Sequence, residues 1–600
     1  MMEVTQEQLP NTNNAKTLTA LLYGCMKLSI TPNATWQKAF WIQSQATLSK
    51  LNPQEFSNTL YAAAELEIQP PKKWQQAFWA QSQWALQNFN EQDYSNTLYA
   101  AAKLGIQPPK KWQQDFWIQS QIKLRQFNPQ EFSNTLYAAA ELEIQPPKKW
   151  QQAFWAQSQW ALQNFNEQDY SNTLYAAAKL GIQPPKKWQQ DFWIQSQIKL
   201  RQFNPQEFSN TLYAAAELEI QPPKKWQQAF WAQSQWALQN FNEQDYSNTL
   251  YAAAKLGIQP PKKWQQDFWI QSQIKLRQFN PQEFSNTLYA AAELEIQPPK
   301  KWQQAFWAQN QWALQNFNEQ DYSNTLYAAA KLGIQPPQEW QQAFWTQSQG
   351  KLRQFSPQHF SNTLYAAAKL GIQPPQEWKQ AFWTQSQHTL EQFSPQSFSN
   401  TLYAACVLDL KLPEAFKSCV SLNLENDIEQ DTTSLRVMYN TRDYLKAQGI
   451  NLEFKQDTLA KLQKNEDTKI SCLESKTGFA LSKVLQDMCP HISLTEQRFI
   501  DGIASTADFF IDACGEKGLV IQVDGPTHFL NQGTERQCVN GFTAFQTRQL
   551  QTQGYQVLRL PYDLLETRDV YDIRDENAPV PPKLADYLKE QLTPYLTLAT

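Results

Sequence analysis

The sequence lacks several features that would have fixed its class at once. It has no run of about 18 apolar residues, so nothing in it reads as a membrane-spanning helix. Lys and Arg total 52 against 56 Asp and Glu, a net charge of −4. No overall excess of positive charge points at nucleic acid, although a local basic stripe can hide inside a neutral total. Cysteine is sparse: seven residues, at 25, 406, 419, 472, 489, 514 and 538, with no CxxC spacing and no cysteine–histidine cluster. An odd, scattered set predicts reduced thiols in an intracellular compartment and no zinc site. The opening MMEVTQEQLPNTNNAK is acidic and has neither a signal-peptide core nor the arginines of a transit peptide. The expectation is a cytoplasmic chain, in a bacterial cytosol, with export by a machine that reads no N-terminal signal still compatible.

What the sequence has is repetition. SNTLYAA occurs ten times, its serines at 57, 95, 133, 171, 209, 247, 285, 323, 361 and 399, each 38 residues after the last. A fixed period of this length means one supersecondary unit stacked on copies of itself, a solenoid over about two thirds of the chain. In the copy running from Asn52 to Phe89, Asn52-Pro53-Gln54-Glu55 supplies a cap, a proline at the first helical position and a glutamate three after the cap. The helix that follows ends, in alternate copies, at a glycine such as Gly105. Pro70-Pro71 then breaks the chain and starts a second helix, KKWQQAFWAQSQWALQNF. Two helices with short connections make a helical hairpin.

A helical wheel assigns the faces. In the first helix Phe56, Thr59, Leu60, Ala63, Ala64 and Leu66 share one side, with Asn58, Ala62 and Glu65 opposite and Tyr61 at the border. In the second, Trp74, Phe78, Trp79, Ser82, Ala85, Leu86 and Phe89 form an aromatic face that predicts core between repeats. Asparagine points away from that core in all ten copies: Asn58, Asn96, Asn134, Asn172, Asn210, Asn248, Asn286, Asn324, Asn362 and Asn400. Its amide pairs a donor with an acceptor, as a base edge does, and Ala62 beside it leaves room for a flat ligand. One turn on, the residue alternates: Glu65, Lys103, Glu141, Lys179, and so to Lys331 and Lys369. A second ladder opens the second helices: Lys72 and Lys73, Lys110 and Lys111, Lys148 and Lys149, and on to residues 300 and 301. Lysine is the wrong sign for a helix start, so this ladder favours an external anion. Seven such repeats, each neutralising one phosphate of a single strand, give a log–log salt slope of roughly −5. A solvated polar face copied by duplication is the competing reading of both ladders.

The unit resembles the octotricopeptide repeat, whose copies carry a Pro-Pro-x-x-Trp segment, here Pro70-Pro71-Lys72-Lys73-Trp74 and its equivalents. Its first helix is also similar to that of pentatricopeptide repeats, where an asparagine in a Tyr-Asn-Thr-Leu string reads bases. The resemblance implies an RNA-binding solenoid over residues 17–412, of about 10–11 repeats including degenerate caps, taking about one nucleotide per repeat. It implies that Asn58 and its copies read bases, and it leaves residues 1–16 as a tail.

After Pro413 the period fades, and residues 413–475 read as a helical linker with the charged stretches LENDIEQD and KLQKNEDTK. Residues 476–600 change class to a small α/β domain: a helix from Thr477, the strand ADFFIDAC, a GEKG turn, the strand LVIQVDG, a helix Thr543–Gln553 and the strand YQVLRLPY. VDGPTHF, Thr543 with Arg548 and Leu550, GYQV and LPY resemble the RAP domain of RNA-associated proteins. That resemblance implies a minimal restriction-endonuclease fold of the PD-(D/E)xK type. In that pattern Asp508 stands at the first acidic position, Gln522 replaces the usual glutamate, Asp524 follows and Arg548 holds phosphate, while His528, a lone histidine in a Gly-Pro turn, reads as structural, as a phosphate contact or as a proton carrier. Asp508 and Asp524 are then the candidate Mg²⁺ ligands, with Glu496 upstream as a further carboxylate, and the missing one at Gln522 weakens the site.

The fold expected is therefore mainly α: an α-solenoid of 38-residue hairpins followed by an α/β restriction-endonuclease-like RAP domain. The function expected is sequence-specific binding of a single-stranded RNA of about 8–11 nucleotides by a monomer, for post-transcriptional control, with the RAP domain on the flanking RNA. Two alternatives stay open: a metal-dependent endoribonuclease guided by the solenoid, and a protein-interaction solenoid acting as a bacterial effector.

Overall fold

The computed structural model describes residues 9, 12–426, 432–454, 457–464, 472–531, 538–573 and 578–596. Most of the expected tail, and the charged segments 427–431 and 465–471 of the expected linker, lie outside the described residues. The chain divides into two compact units, Met1–Phe279 and Asn280–Thr600.

Among its described residues the first unit is a run of seven helical hairpins, from Ala15–Lys27 with Ala34–Thr47 to Glu243–Lys255 with Lys262–Lys275. Local chemistry starts each helix. The Glu55 N–H donates to the Asn52 side chain, and the Glu55 carboxylate accepts from the Asn52 N–H, both at 2.9 Å. In alternate copies aspartate does the same work, the Asp93 N–H donating to Asn90 at 2.8 Å. All copies leave the first helix through one left-handed residue, which is Gly105 at φ 63° in one copy and Glu67 at φ 56° in the preceding one. The second helix starts behind Pro71 and tightens into a 3₁₀ turn at Leu86–Asn88.

Tryptophan binds the repeats together. Trp74 stacks on Phe78 with ring centroids 4.9 Å apart, and Trp79 meets Trp112 of the next repeat edge-on at 4.8 Å. A buried indole N–H needs an acceptor, and the preceding repeat supplies a serine hydroxyl. Trp74 donates to Ser44 at 2.8 Å, and Trp112 and Trp150 donate to Ser82 and Ser120 at 3.1 Å. The serine within the aromatic face is thus the acceptor for its neighbour. First helices pack side by side through Ala62, Ala63 and Ala64, all fully buried.

The second unit opens with four further hairpins, from Pro281–Glu293 with Lys300–Ala313 to Pro395–Val407 with Glu414–Asn426. The hairpin packing continues past residue 412. Phe416 stands, fully buried, where earlier copies have tryptophan, and its ring lies 4.9 Å from Trp383. Thr432–Ala447 then packs on Pro395–Val407 as a further first helix, with the Tyr444 hydroxyl donating to the Leu410 carbonyl.

The α/β region that follows contains α1 (Cys472–Met488), β1 (Thr495–Ile500), β2 (Ser505–Ile511), β3 (Leu519–Asp524), β4 (Phe529–Leu530), β5 (Cys538–Val539), α2 (Gly541–Thr552), β6 (Gln556–Pro561) and, after a short helix at Tyr562–Glu566, α3 (Pro582–Leu596). The main sheet has the order β1-β2-β3-β6, with β3 and β6 parallel and the other pairs antiparallel. Strand β1 was not expected from the sequence, because its alternation TEQRFI is mostly polar. Leu519, Ile521 and Val523 join one core with residues of α1 and α3, and Val520 joins a second with Leu550 of α2. The mainly α solenoid with a small C-terminal α/β domain is the fold the sequence implied.

Candidate functional site

The first helices place Asn58, Tyr61 and Glu65 on one half-buried stripe at i, i+3 and i+7. All ten asparagines, from Asn58 to Asn400, share that half-buried state. Ala62 does not line the stripe as expected. It is 0% exposed, because its small methyl side chain is what lets neighbouring first helices approach. Tyr61 takes its place. The tyrosines pair across repeats, Tyr61 with Tyr99, Tyr137 with Tyr175 and Tyr213 with Tyr251, each with centroids 6.3 Å apart. In the second unit Tyr289 and Tyr327 pair at the same 6.3 Å. Burial, then the Glu141 carboxylate, pushes the Tyr137 hydroxyl up to about 12.

The alternating position is also paired. Lys103 reaches Glu65, Lys179 reaches Glu141 and Lys255 reaches Glu217, each at 3.0 Å, and in the second unit Lys331 reaches Glu293 at 2.9 Å. These half-exposed pairs contribute up to about 1 kcal/mol each. Lys369 follows Lys331 rather than a glutamate, and burial and Lys331 lower its pKa. Lys72, Lys73, Lys110, Lys111, Lys148 and Lys149 stand exposed at the starts of second helices, behind prolines that offer no side-chain cap.

In the α/β region, Asp508 and Asp524 sit near each other at the end of the β2–β3 pairing. The Asp508 carboxylate accepts the Val523 N–H at 2.7 Å, beyond the last paired residues of the two strands. Burial pushes the Asp508 carboxyl up to about 7, with Glu474 and Asp524 adding to the rise. Asp524 is 1% exposed; Arg559 of β6 donates to its Oδ1 at 2.5 Å, while its Oδ2 is buried without a hydrogen-bond partner. Burial raises the Asp524 carboxyl against the opposing pull of Arg559 and His528. Arg559 is clamped further by Thr547 at 2.8 Å and Gln546 at 2.7 Å. His528 Nδ1 lies 3.5 Å from Asp524 Oδ1 and 3.1 Å from Thr543 Oγ1, and Lys369 is among the cations that help lower its pKa below burial alone.

Arg548 is not the cation beside these carboxylates. It donates to the Val407 carbonyl at 3.4 Å, at the C-terminal end of a solenoid helix, where a positive charge is favoured. The Gln522 amide is held by the Thr506 carbonyl at 3.2 Å. Glu496 stands exposed on β1, paired in register with Phe509. Arg559 was missed in the sequence because LRLP alternates like any half-exposed strand; only the parallel register, which sets it beside Gln522, brings it to Asp524. Among the described residues no group of three or more His, Cys, Asp or Glu converges. Two carboxylates, one already neutralised by a guanidinium and the other capping a backbone N–H, fit the octahedral oxygen set of Mg²⁺ poorly.

The α/β region docks on the stripe within the second unit. Helix α2 crosses Pro357–Leu370 and Pro395–Val407, and Phe542 stands 4.8 Å from Tyr365 and 5.1 Å from Tyr403. Gly541 is obligatory there: a Cβ would fall 1.9 Å from the Ala368 carbonyl oxygen. The Asn531 N–H donates to the Gly333 carbonyl at 2.7 Å, and the Gln335 N–H donates to the Asn531 side chain at 3.0 Å.

The sheet, the VDGPTHF turn and α2 decide the comparison for this region. Residues 521–566 match the RAP domain. Upstream, residues 37–165 match the N-terminal domain of the Tbc2 translation factor and residues 127–347 its C-terminal domain, the two overlapping within the hairpin array. No curated protein matches the chain. Among solved structures, a homology model of the full-length AP-3 complex in an intermediate open conformation covers 75% of this chain and 90% of that one at 9% identity and a TM-score of 0.26, too low to carry any argument. The RAP domain thus closes the chain on the same face of the first helices that carries Asn and Tyr in the preceding repeats of its unit.

Proposed function

We propose that the protein binds single-stranded RNA along the Asn–Tyr stripe, about one nucleotide per repeat, with its RAP domain contacting the flanking strand, and so regulates the bound RNA. The observation that carries this reading is the stripe: ten asparagines in one environment, interleaved with tyrosines. Amides offer base edges a donor and an acceptor, and aromatic rings offer their faces stacking. Because Glu65 and Lys103 neutralise each other, the phosphate contacts fall to the exposed lysine pairs, and the expected salt slope stays roughly −5. The match to a translation factor and to the RAP domain supports a regulatory RNA-binding role.

Selection from a random single-stranded RNA pool tests it. Enrichment of a motif of about 8–11 nucleotides supports the reading, and weak binding lost at moderate salt with no motif overturns it. A protein partner has one observation in its favour: Trp84 and Trp160 are 80% exposed and Trp236 is 79% exposed on the second helices. Asn96→Ala with Asn134→Ala separates the two, since it alters RNA preference only if the stripe reads RNA. The endoribonuclease reading is the least well served, given the donor set at Asp508 and Asp524; an Mg²⁺-dependent cleavage assay with Asp524→Ala as control decides it.

A further inference from the structure

The tyrosines of the stripe are not evenly engaged. They meet in couples, Tyr61 with Tyr99, Tyr137 with Tyr175, Tyr213 with Tyr251 and Tyr289 with Tyr327, in step with the 76-residue alternation of the sequence. The next two tyrosines in that series are Tyr365 and Tyr403, and there one ring, Phe542 of the RAP domain, meets both at steep interplanar angles, 65° and 56°. In the open couples the rings stand 6.3 Å apart with interplanar angles of 35–37°. A ring inserted between two others needs about 7 Å, two carbon–carbon contact distances, so a sub-ångström opening with a loss of tilt admits one. All eight of these tyrosines are half-buried, which leaves part of each side chain accessible.

We infer that each tyrosine couple is a slot for one unpaired nucleobase, and that Phe542, steeply inclined to both Tyr365 and Tyr403, covers the last two tyrosines of the series against one. The inference rests on the RNA reading above and refines it: bases are held in two modes along the strand, clamped between tyrosines at one repeat and presented to an asparagine amide at the next. Stacking tolerates any base, so the slots set affinity and spacing, and the asparagines carry preference. The Glu65–Lys103 ion pair spans the same two repeats as the Tyr61–Tyr99 couple and ties them together without adding net charge. By covering Tyr365 and Tyr403, the RAP domain sets where the stacked track ends.

The test uses the full chain and a single-stranded RNA of about 12 nucleotides carrying one 2-aminopurine, with an abasic version of the same strand. Insertion quenches the 2-aminopurine on binding, and the abasic strand binds more weakly. Tyr137→Ala with Tyr175→Ala abolishes the quenching contributed by that slot and weakens binding by between about 5- and 100-fold, whereas Tyr137→Phe with Tyr175→Phe stays within about twofold. Phe542→Ala uncovers Tyr365 and Tyr403 and lengthens the protected stretch. Circular dichroism confirms that each variant keeps its helices. Tight binding without quenching, equal affinity for the abasic strand and indifference to the alanine pair overturn the slots while leaving the RNA reading standing. No binding of any strand by the native chain overturns both.

Discussion

Glu67, Glu143 and Glu219 in the first unit hold φ of 54–56°, the left-handed conformation that Gly105, Gly181 and Gly257 take at 63° in the intervening copies. The turn is the same in both, the Ile68 N–H reaching the Ala63 carbonyl and the Ile106 N–H reaching the Ala101 carbonyl at 2.9 Å. The chain therefore carries its own control for a single substitution. A side chain in this conformation costs about 1–2 kcal/mol, and replacing it with glycine returns about 0.4–1 kcal/mol of that through the freer unfolded chain. Each Glu→Gly change should then stabilise by about 0.5–1 kcal/mol, with removal of a negative charge from a helix C-terminus acting in the same direction. The three sites are two repeats apart, so their effects should add to about 2 kcal/mol. Urea unfolding followed by circular dichroism should show a higher midpoint for Glu67→Gly, Glu143→Gly and Glu219→Gly together, at an unchanged slope. Gly105→Glu should lower the midpoint by about the amount one reverse change raises it. An unchanged or lower midpoint for the triple variant refutes the strain argument.

Three other outcomes are expected. Ser120→Ala leaves the Trp150 indole N–H buried without its acceptor and should cost about 1–3 kcal/mol by denaturation, whereas Ser120→Asn should cost less, as Asn310 already serves Trp340 at 2.7 Å. Asp508 carries a folded pKa of about 7, above its ordinary value, so the fold holds an extra proton and loses stability as pH rises from the usual carboxylate range through 7. Denaturation of native and Asp508→Asn protein across that range should show the loss in the native chain and a flatter profile in the variant. Arg559→Leu strands Asp524 as an uncompensated buried charge and should cost about 3–5 kcal/mol, much of it recovered when Asp524→Leu is added; no recovery in the double variant would break the pairing argument.

What was legible in the sequence was local or periodic. Asn52, Pro53 and Glu55 announce a helix start within four residues, and Trp74 and Phe78 announce a core by recurring with every repeat. What was hidden depended on neighbours in space. Ala62 looked like open floor on a single-helix wheel, but the next first helix covers it, and Tyr61 passed as a border residue for the same reason. Phe416 broke the tryptophan pattern in letters while keeping its place in the packing. Arg559 and Phe542 find their partners only through strand register and domain docking, neither of which leaves a short-range trace.

The ion pairs between Glu65 and Lys103 and their equivalents give the array a parity. Removing or inserting a single 38-residue copy would set Glu against Glu or Lys against Lys at the new junction, whereas a gain or loss of two copies keeps every partner. Growth and shrinkage by recombination between near-identical copies are thereby biased to even steps. The rule lapses at Lys369, which follows Lys331, and at Val407 after it, in the copies against which the RAP domain packs.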